Sequence, residues 1–311
     1  MSTAYLTHPV FLQHEMGAHH PERPARLHAI EDRLIAAGLF DLLRHYRAPH
    51  ASREAILRVH TAEYLDALAR QAPAQGYTQL DPDTAMNPHT LEAAYRAAGA
   101  AVLATDRVIA GTVENAFCAV RPPGHHAEAG RAMGFCFLNN IAIAAAHALE
   151  EHGLERVAIV DFDVHHGNGT EAMFGGDERV LLCSSFQHPF YPGTELGQQP
   201  PNVIHAPLRA GDGSVAFREA YEQQLLPALE AFAPQLIFIS AGFDAHIEDE
   251  MSGIELYDSD YSWVTQRLVA AAARHAGGRI VSLLEGGYAL NALGRSATQH
   301  IRVLMGIDGG N

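Results

Sequence analysis

Cysteine is scarce in this chain of 311 residues: only Cys118, Cys136 and Cys183 occur. The count is odd, the spacing fits no cysteine-based metal motif, and each thiol sits in an apolar context. A disulfide framework is therefore excluded. The pattern is that of buried free thiols in a reducing compartment, so a cytoplasmic location is expected. Long hydrophobic runs are also missing. No stretch reaches the roughly eighteen apolar residues that suggest a membrane-spanning helix. The opening Met1-Ser-Thr-Ala-Tyr5 lacks the charged and apolar regions of a signal peptide. Positive charge is the third shortage. With 21 basic against 36 acidic residues, the formal net charge is −15. Direct nucleic-acid binding is not expected, because a basic face supplies most of that affinity. An acidic surface attracts cationic molecules over long range, although solubility alone would account for it.

Apolar residues are plentiful, at 48%, and short apolar runs alternate with amphipathic stretches. Strands are expected at Ala116–Val120, Val157–Asp161, Val180–Ser184, Leu236–Ser240 and Ile280–Leu284. Helices are expected at Thr90–Ala110, Leu138–His152, Val215–Phe232, Ser259–His275 and Ala292–Met305. Strands that are apolar throughout and joined by helices imply an α/β fold with a parallel sheet covered on both faces. No repeat, low-complexity tract or linker divides the chain, so one domain over residues 1–311 is expected. Gln71–Pro88 and Gln187–Pro201 are expected to be long loops, which in compact domains often carry function.

Four of these strands run directly into polar, glycine-rich clusters. They are Arg121-Pro-Pro-Gly-His125-His126, Asp161-Phe-Asp163-Val-His165-His166-Gly-Asn168-Gly169, Ala241-Gly-Phe-Asp244-Ala-His246 and Glu285-Gly-Gly-Tyr288. Sites in open parallel sheets form beyond the carboxyl ends of the strands, so the topology would gather all four clusters at one rim. Alternate residues of an extended stretch share a face, so Asp161, Asp163 and His165 can converge. Carboxylate oxygen with imidazole nitrogen suits a borderline divalent metal such as zinc, and Asp244 can be a third ligand. Three protein ligands leave a position for water and substrate. His125 and His126 follow a rigid turn and are of the type that takes and returns protons. Tyr288 follows two glycines and can donate a hydrogen bond to a developing oxyanion. Taken singly, the bland alternatives hold: a capping aspartate, structural histidines, a half-buried tyrosine, a solvated acidic turn.

Together these motifs resemble the histone deacetylase and acetylpolyamine amidohydrolase superfamily, in its class II-like bacterial branch. His19-His-Pro-Glu-Arg23-Pro, Gly134-Phe-Cys-Phe-Leu-Asn-Asn140 and Tyr191-Pro-Gly-Thr194 complete a set that runs in family order from residue 19 to 288. The resemblance implies the arginase–deacetylase fold, with a central parallel sheet of about eight strands. It implies zinc ligands at Asp163, His165 and Asp244. It implies a general base at His126 with His125 as electrostatic partner, Asp161 bonded to His125, Asn168 orienting His126, and Tyr288 polarising the carbonyl. One or two potassium ions are also implied. The inner one is held by Asp161, the Ser184 hydroxyl, the Ser185 carbonyl and the backbone of Asp163 and His165. The outer one uses carbonyls near Phe174, Asp177, Val180 and Asn202. Gly134, Phe135 and Tyr191 match the acyl-lysine tunnel, Arg23 a deep arginine behind the metal, and Asp83, in preference to Asp81, a rim carboxylate.

The implied activity is removal of an acetyl or related acyl group from lysine side chains of proteins or from small acylated amines. Met251, with Glu250 beside it, stands where polyamine-specific relatives place a glutamate, which favours a neutral-capped acyl-lysine over an acetylpolyamine. Phe186 and Glu195 depart from the family pattern. Two other readings are a non-catalytic acyl-lysine reader or complex subunit and an arginase-like hydrolase with two manganese ions. The intact catalytic set and the histidine pair with Glu-Gly-Gly-Tyr288 disfavour them. Assembly into homo-oligomers is left open.

Overall fold

Strands that bury every residue favour the interior of a large sheet, and their sequence shows it. Val157–Asp161, Leu236–Ala241 and Ile280–Leu284 are buried from end to end. In the computed structural model, which describes residues 2–307, they lie at the centre of an eight-stranded parallel sheet. The strands in chain order are β1 (Thr3–Thr7), β2 (Arg44–Arg47), β3 (Thr78–Asp81), β4 (Thr84–Met86), β5 (Asn115–Cys118), β6 (Val157–Asp161), β7 (Val180–Gln187), β8 (Val203–Leu208), β9 (Leu236–Ala241) and β10 (Ile280–Leu284). The sheet order is β2-β1-β5-β10-β9-β6-β7-β8, with every pairing parallel. Strands β3 and β4 form a separate antiparallel hairpin.

The helices are α1 (Ala25–Ala36), α2 (Arg53–Leu57), α3 (Ala62–Gln71), α4 (Thr90–Ile109), α5 (Asn140–Glu150), α6 (Asn168–Phe174), α7 (Ser214–Ala220), α8 (Leu226–Phe232), α9 (Asp258–His275) and α10 (Leu290–Leu304). Helix α4 packs alanines against the sheet, and Ala93, Ala97, Ala100, Ala101 and Ala104 are all buried. Small side chains let the helix lie close, and they lose little side-chain entropy on burial. The helix expected at Val215–Phe232 is instead α7 and α8 joined by a π-helical turn at Tyr221–Leu225. The turn is associated with a buried Tyr221 whose hydroxyl lies 3.3 Å from Ser185 Oγ on β7. The expected loop Gln71–Pro88 contains the β3–β4 hairpin, and Gln187–Pro201 has no regular element beyond the end of β7.

Charge is buried beneath the sheet rim as well as apolar surface. The chain has no lysine, so all 21 basic residues are arginine, and Arg26 and Arg121 are completely buried. Glu22 lies between them. Its Oε1 accepts from Arg26 Nη1 at 3.1 Å and Arg121 Nε at 2.5 Å, and its Oε2 accepts from Arg121 Nη2 at 2.6 Å. Burial would raise the Glu22 pKa, but the Arg121 charge and its other partners hold it well below the ordinary value. Removing one member of a buried ion cluster leaves the others uncompensated, which typically costs about 3–5 kcal/mol. Glu22→Ala should therefore lower the urea midpoint by that equivalent, and a loss under about 1 kcal/mol would mean that solvent reaches the arginines.

Candidate active site

The four clusters follow β5, β10, β9 and β6, four consecutive neighbours in the sheet. All the strands point the same way, so His125-His126, Tyr288, Asp244 and the Asp161–Asn168 segment emerge side by side. Their carboxylates are aimed by backbone N–H groups. Asp161 Oδ1 accepts from the Asp163 N–H at 3.0 Å, and Asp163 Oδ1 from the His165 N–H at 2.9 Å. Asp163 Oδ2 accepts from the Gly286 N–H at 2.7 Å, and Asp244 Oδ1 from the Val164 N–H at 3.0 Å. Two of these bonds lie within the segment that follows β6, and two cross between loops, with Gly286 orienting Asp163 and Val164 orienting Asp244.

His165 Nδ1 lies 3.1 Å from Asp163 Oδ1 and 3.2 Å from Asp244 Oδ2. Asp244 Oδ2 is buried and has no hydrogen-bond partner. Burial and the Asp163 charge push the Asp244 carboxyl up to about 6. Two buried carboxylates and an imidazole turned toward one point call for a cation, and the donor set suits zinc. Two further groups of ligand-type side chains occur among the described residues, Asp106 with His147 and His152, and Glu171 with His166 and His205. In both, one carboxylate oxygen sits at hydrogen-bonding distance, 2.6–2.8 Å, from two rings. His147 Nδ1 also faces Arg58 Nη1 at 2.8 Å, which leaves its proton on Nε2 and bonded to Asp106. The carboxylates of these two groups are satisfied without an ion, although His166 Nδ1 and His205 Nδ1 are buried without partners; in the Asp163–His165–Asp244 group a carboxylate oxygen, Asp244 Oδ2, is itself left over.

The paired histidines differ in electrostatics. His125 Nδ1 donates to Asp161 Oδ2 at 2.9 Å. Burial lowers the His125 pKa, but the Asp161 and Asp163 charges outweigh it and bring it to about 10. His126 is held well below the ordinary value by burial and then by the neighbouring His125 and His165 charges. Asn168 Nδ2 donates to Glu128 Oε1 at 2.9 Å, which turns its Oδ1 toward His126 Nδ1 at 2.8 Å. That bond requires the proton on Nδ1 and leaves Nε2 as a free acceptor. Glu285, fully buried, accepts from the Gly124 and His125 N–H groups at 2.7 and 3.2 Å and so fixes the histidine turn. Its charge at a strand end was the signal for this role.

A cavity of about 300 Å³ opens above these groups. His126, His165 and Tyr288 line its inner part. Gly134, Phe135, Phe190 and Tyr191 form the walls, and Asp83, Glu250 and Met251 lie at the mouth. Phe135 meets Tyr288 edge-on at 5.9 Å, and Tyr191 meets His126 at 5.1 Å. Phe135 has φ 68°, a conformation uncommon outside glycine and found at constrained sites. Its N–H donates to Thr84 Oγ1 at 2.9 Å, and Thr84 Oγ1 donates to Asp83 Oδ1 at 2.7 Å. The hairpin in the expected loop thus holds a tunnel wall and a mouth carboxylate together. Phe190, stacked 5.5 Å from His165, was not anticipated.

Other expectations are corrected or refined. Arg23 is exposed. The deep arginine is Arg26, because α1 begins at Ala25 and turns Arg26, not Arg23, inward. Arg26 Nε donates to Gly287 O at 2.6 Å and lies over the Tyr288 ring at 4.9 Å. Ser184 pairs in register with Asp161, and its hydroxyl is buried without a partner, as an inner monovalent-ion site requires. Ser185 is buried next to it. At the outer position, Asn202 Nδ2 donates to the carbonyls of Phe174, Asp177 and Val180 at 2.8, 3.2 and 2.9 Å. The chain's own amide fills that place. His246 bonds Asp258 at 3.3 Å and takes no part in the site.

The histone deacetylase domain model matches residues 20–304. The chain belongs to the histone deacetylase family. A histone deacetylase-like amidohydrolase of Pseudomonas aeruginosa is 41% identical over 91% of this chain and 77% of its own length. The human polyamine deacetylase HDAC10 is 37% identical over 92% of this chain and 44% of its own length. The crystal structure of the HDA15 HD domain superposes with a TM-score of 0.92 at 37% identity, covering 99% of this chain and 91% of that one. The arginase–deacetylase fold and the deacetylase kinship are thereby established.

In this histone deacetylase family member, Gly286 has no room for a side chain. A Cβ there would collide with Asp244 Oδ2 and Asp163 Oδ2. Gly286→Ala should displace the carboxylates and abolish retention of a divalent metal. Zinc content after dialysis is the measurement, and full occupancy in the variant would refute the ligand assignment.

Proposed function

We propose that this chain is a zinc-dependent amidohydrolase that removes acetyl or a related acyl group from an amine, with protein acyl-lysine preferred. The observation that carries the proposal is one aromatic-walled cavity ending on a metal-type cluster, a neutral His126 with Nε2 free to accept, and the Tyr288 phenol. Asp163, His165 and Asp244 would hold the zinc. Zinc bound there supplies Lewis acidity, which polarises the amide carbonyl and acidifies water toward a pKa of about 7.

The protein's own groups do the rest. The tunnel walls take the apolar stem and set the amide against the inner groups, which replaces a bimolecular encounter by a positioned one. His126 Nε2 takes the proton as water attacks the carbonyl carbon. Burial holds the Tyr288 phenol well above its ordinary pKa, so its O–H stays protonated and donates to the carbonyl oxygen as charge develops. The C–N bond then breaks, His126 returns the proton to the departing amine, and a carboxylate remains. His125, charged and fixed by Asp161, favours the negative charge that forms. Asp161, Ser184 and Ser185 would hold a monovalent cation behind the site. Its charge would balance Asp161 without touching the substrate.

Met251 sets the substrate preference. A thioether at the mouth suits a neutral stem, whereas Glu250 beside it is exposed and attracts cations through screened solvent. Comparing kcat/KM for an acetyl-lysine peptide and N8-acetylspermidine in one buffer tests the preference. A tenfold polyamine advantage, about 1.4 kcal/mol, would reverse it. Tyr288→Phe should retain zinc and lose on the order of a hundredfold in kcat, the usual effect of removing one oxyanion donor. Near-normal kcat would exclude the hydroxyl from the transition state.

A further inference from the structure

The loop carrying Tyr288 contains Gly286 and Gly287, the latter at φ 120°, so its own side chains cannot fix it. Groups from elsewhere do, two of them in addition to the Asp163 carboxylate that takes the Gly286 N–H. Arg26 holds it by the carbonyls of Glu285 and Gly287, at 2.5 and 2.6 Å. Asp249 holds it by N–H groups. Asp249 Oδ2 accepts from Tyr288 N at 2.6 Å and Ala289 N at 2.9 Å. Its Oδ1 accepts from Met251 N at 3.0 Å. The residue is 5% exposed, and all three of these donors are backbone groups. Two of them directly precede α10, where the helix dipole favours a carboxylate.

We propose that Asp249 is a positioning residue that sets the Tyr288 hydroxyl over the reacting carbonyl and ties it to the tunnel mouth. This rests on the deacetylation proposed above. One carboxylate grips both the oxyanion donor's backbone and that of Met251, a lining residue of the cavity. A substrate that presses on the Glu250–Met251 segment therefore acts on Tyr288 through Asp249. Specificity at the mouth and reactivity at the floor share one rigid link.

Asp249→Asn is close to isosteric but replaces one accepting oxygen by an NH2 group, so one of the two loops loses its partner. Misplacement of a reacting group by about 1 Å can cost on the order of a hundredfold. We expect kcat to fall by about ten- to a hundredfold on that basis, with zinc content and KM nearly unchanged. Asp249→Ser, which keeps one acceptor, serves if the first variant folds poorly. The deciding arm is the Tyr288→Phe background. If Asp249 acts through the hydroxyl, Asp249→Asn costs nothing further there; losses that multiply, or an unchanged kcat in the single variant, overturn the proposal. Amide hydrogen exchange of residues 286–290 should quicken in Asp249→Asn, and unchanged protection overturns the proposal independently of activity. A zinc-loaded wild type that cleaves no acylamide would instead bring down the activity, leaving the exchange result to judge the link.

Discussion

Buried negative charge is the constraint around which this molecule is organised. Asp161, Asp163, Asp244 and Glu285 are each at most 1% exposed, and they come from three adjacent strands and the turns that follow them. Carboxylates in so dry a place must be paired, hydrogen-bonded or bound to cations. The chain answers with backbone N–H groups from neighbouring loops, with the His125 imidazolium, and with ligand geometry that leaves Asp244 Oδ2 and Ser184 Oγ unsatisfied. The parallel sheet makes this affordable because it delivers every loop to the same rim. The Arg26–Glu22–Arg121 cluster then props the Tyr288 loop from behind.

The same repulsion separates the two histidines. Adjacent in sequence and 4.1 Å apart by ring centroid, they would titrate alike in water. Asp161 keeps His125 charged, and that charge helps to keep His126 neutral. A base and a fixed cation arise from one dipeptide because different carboxyl and amide oxygens face the two rings.

The sequence made the centre of the sheet legible and its margins obscure. Val157–Asp161 and Ile280–Leu284 were bounded correctly because buried strands are apolar throughout. Arg44–Arg47 carries no such pattern, since an edge strand takes its place from a neighbour's hydrogen bonds. Thr3–Thr7 is short and flanked by polar residues. Within the site, groups sitting at strand ends were readable from spacing. Those that act by tertiary contact were not. Asp249 lies in an acidic turn that resembles any solvated loop, and Thr84 sits in a hairpin too short for periodicity. The deep arginine was placed at Arg23, which stands before α1 and is exposed, because nothing in the sequence shows that the helix starting at Ala25 turns Arg26 inward.

The absence of lysine, with arginine making up all 21 Lys-or-Arg positions and two arginines sealed beneath the active rim, has a chemical corollary. Guanidinium groups hold their charge at any pH a cell reaches and form no acyl-lysine. No side chain among these residues can become an acyl-lysine. Acyl donors that modify lysines therefore leave the charge of these 311 residues as it is.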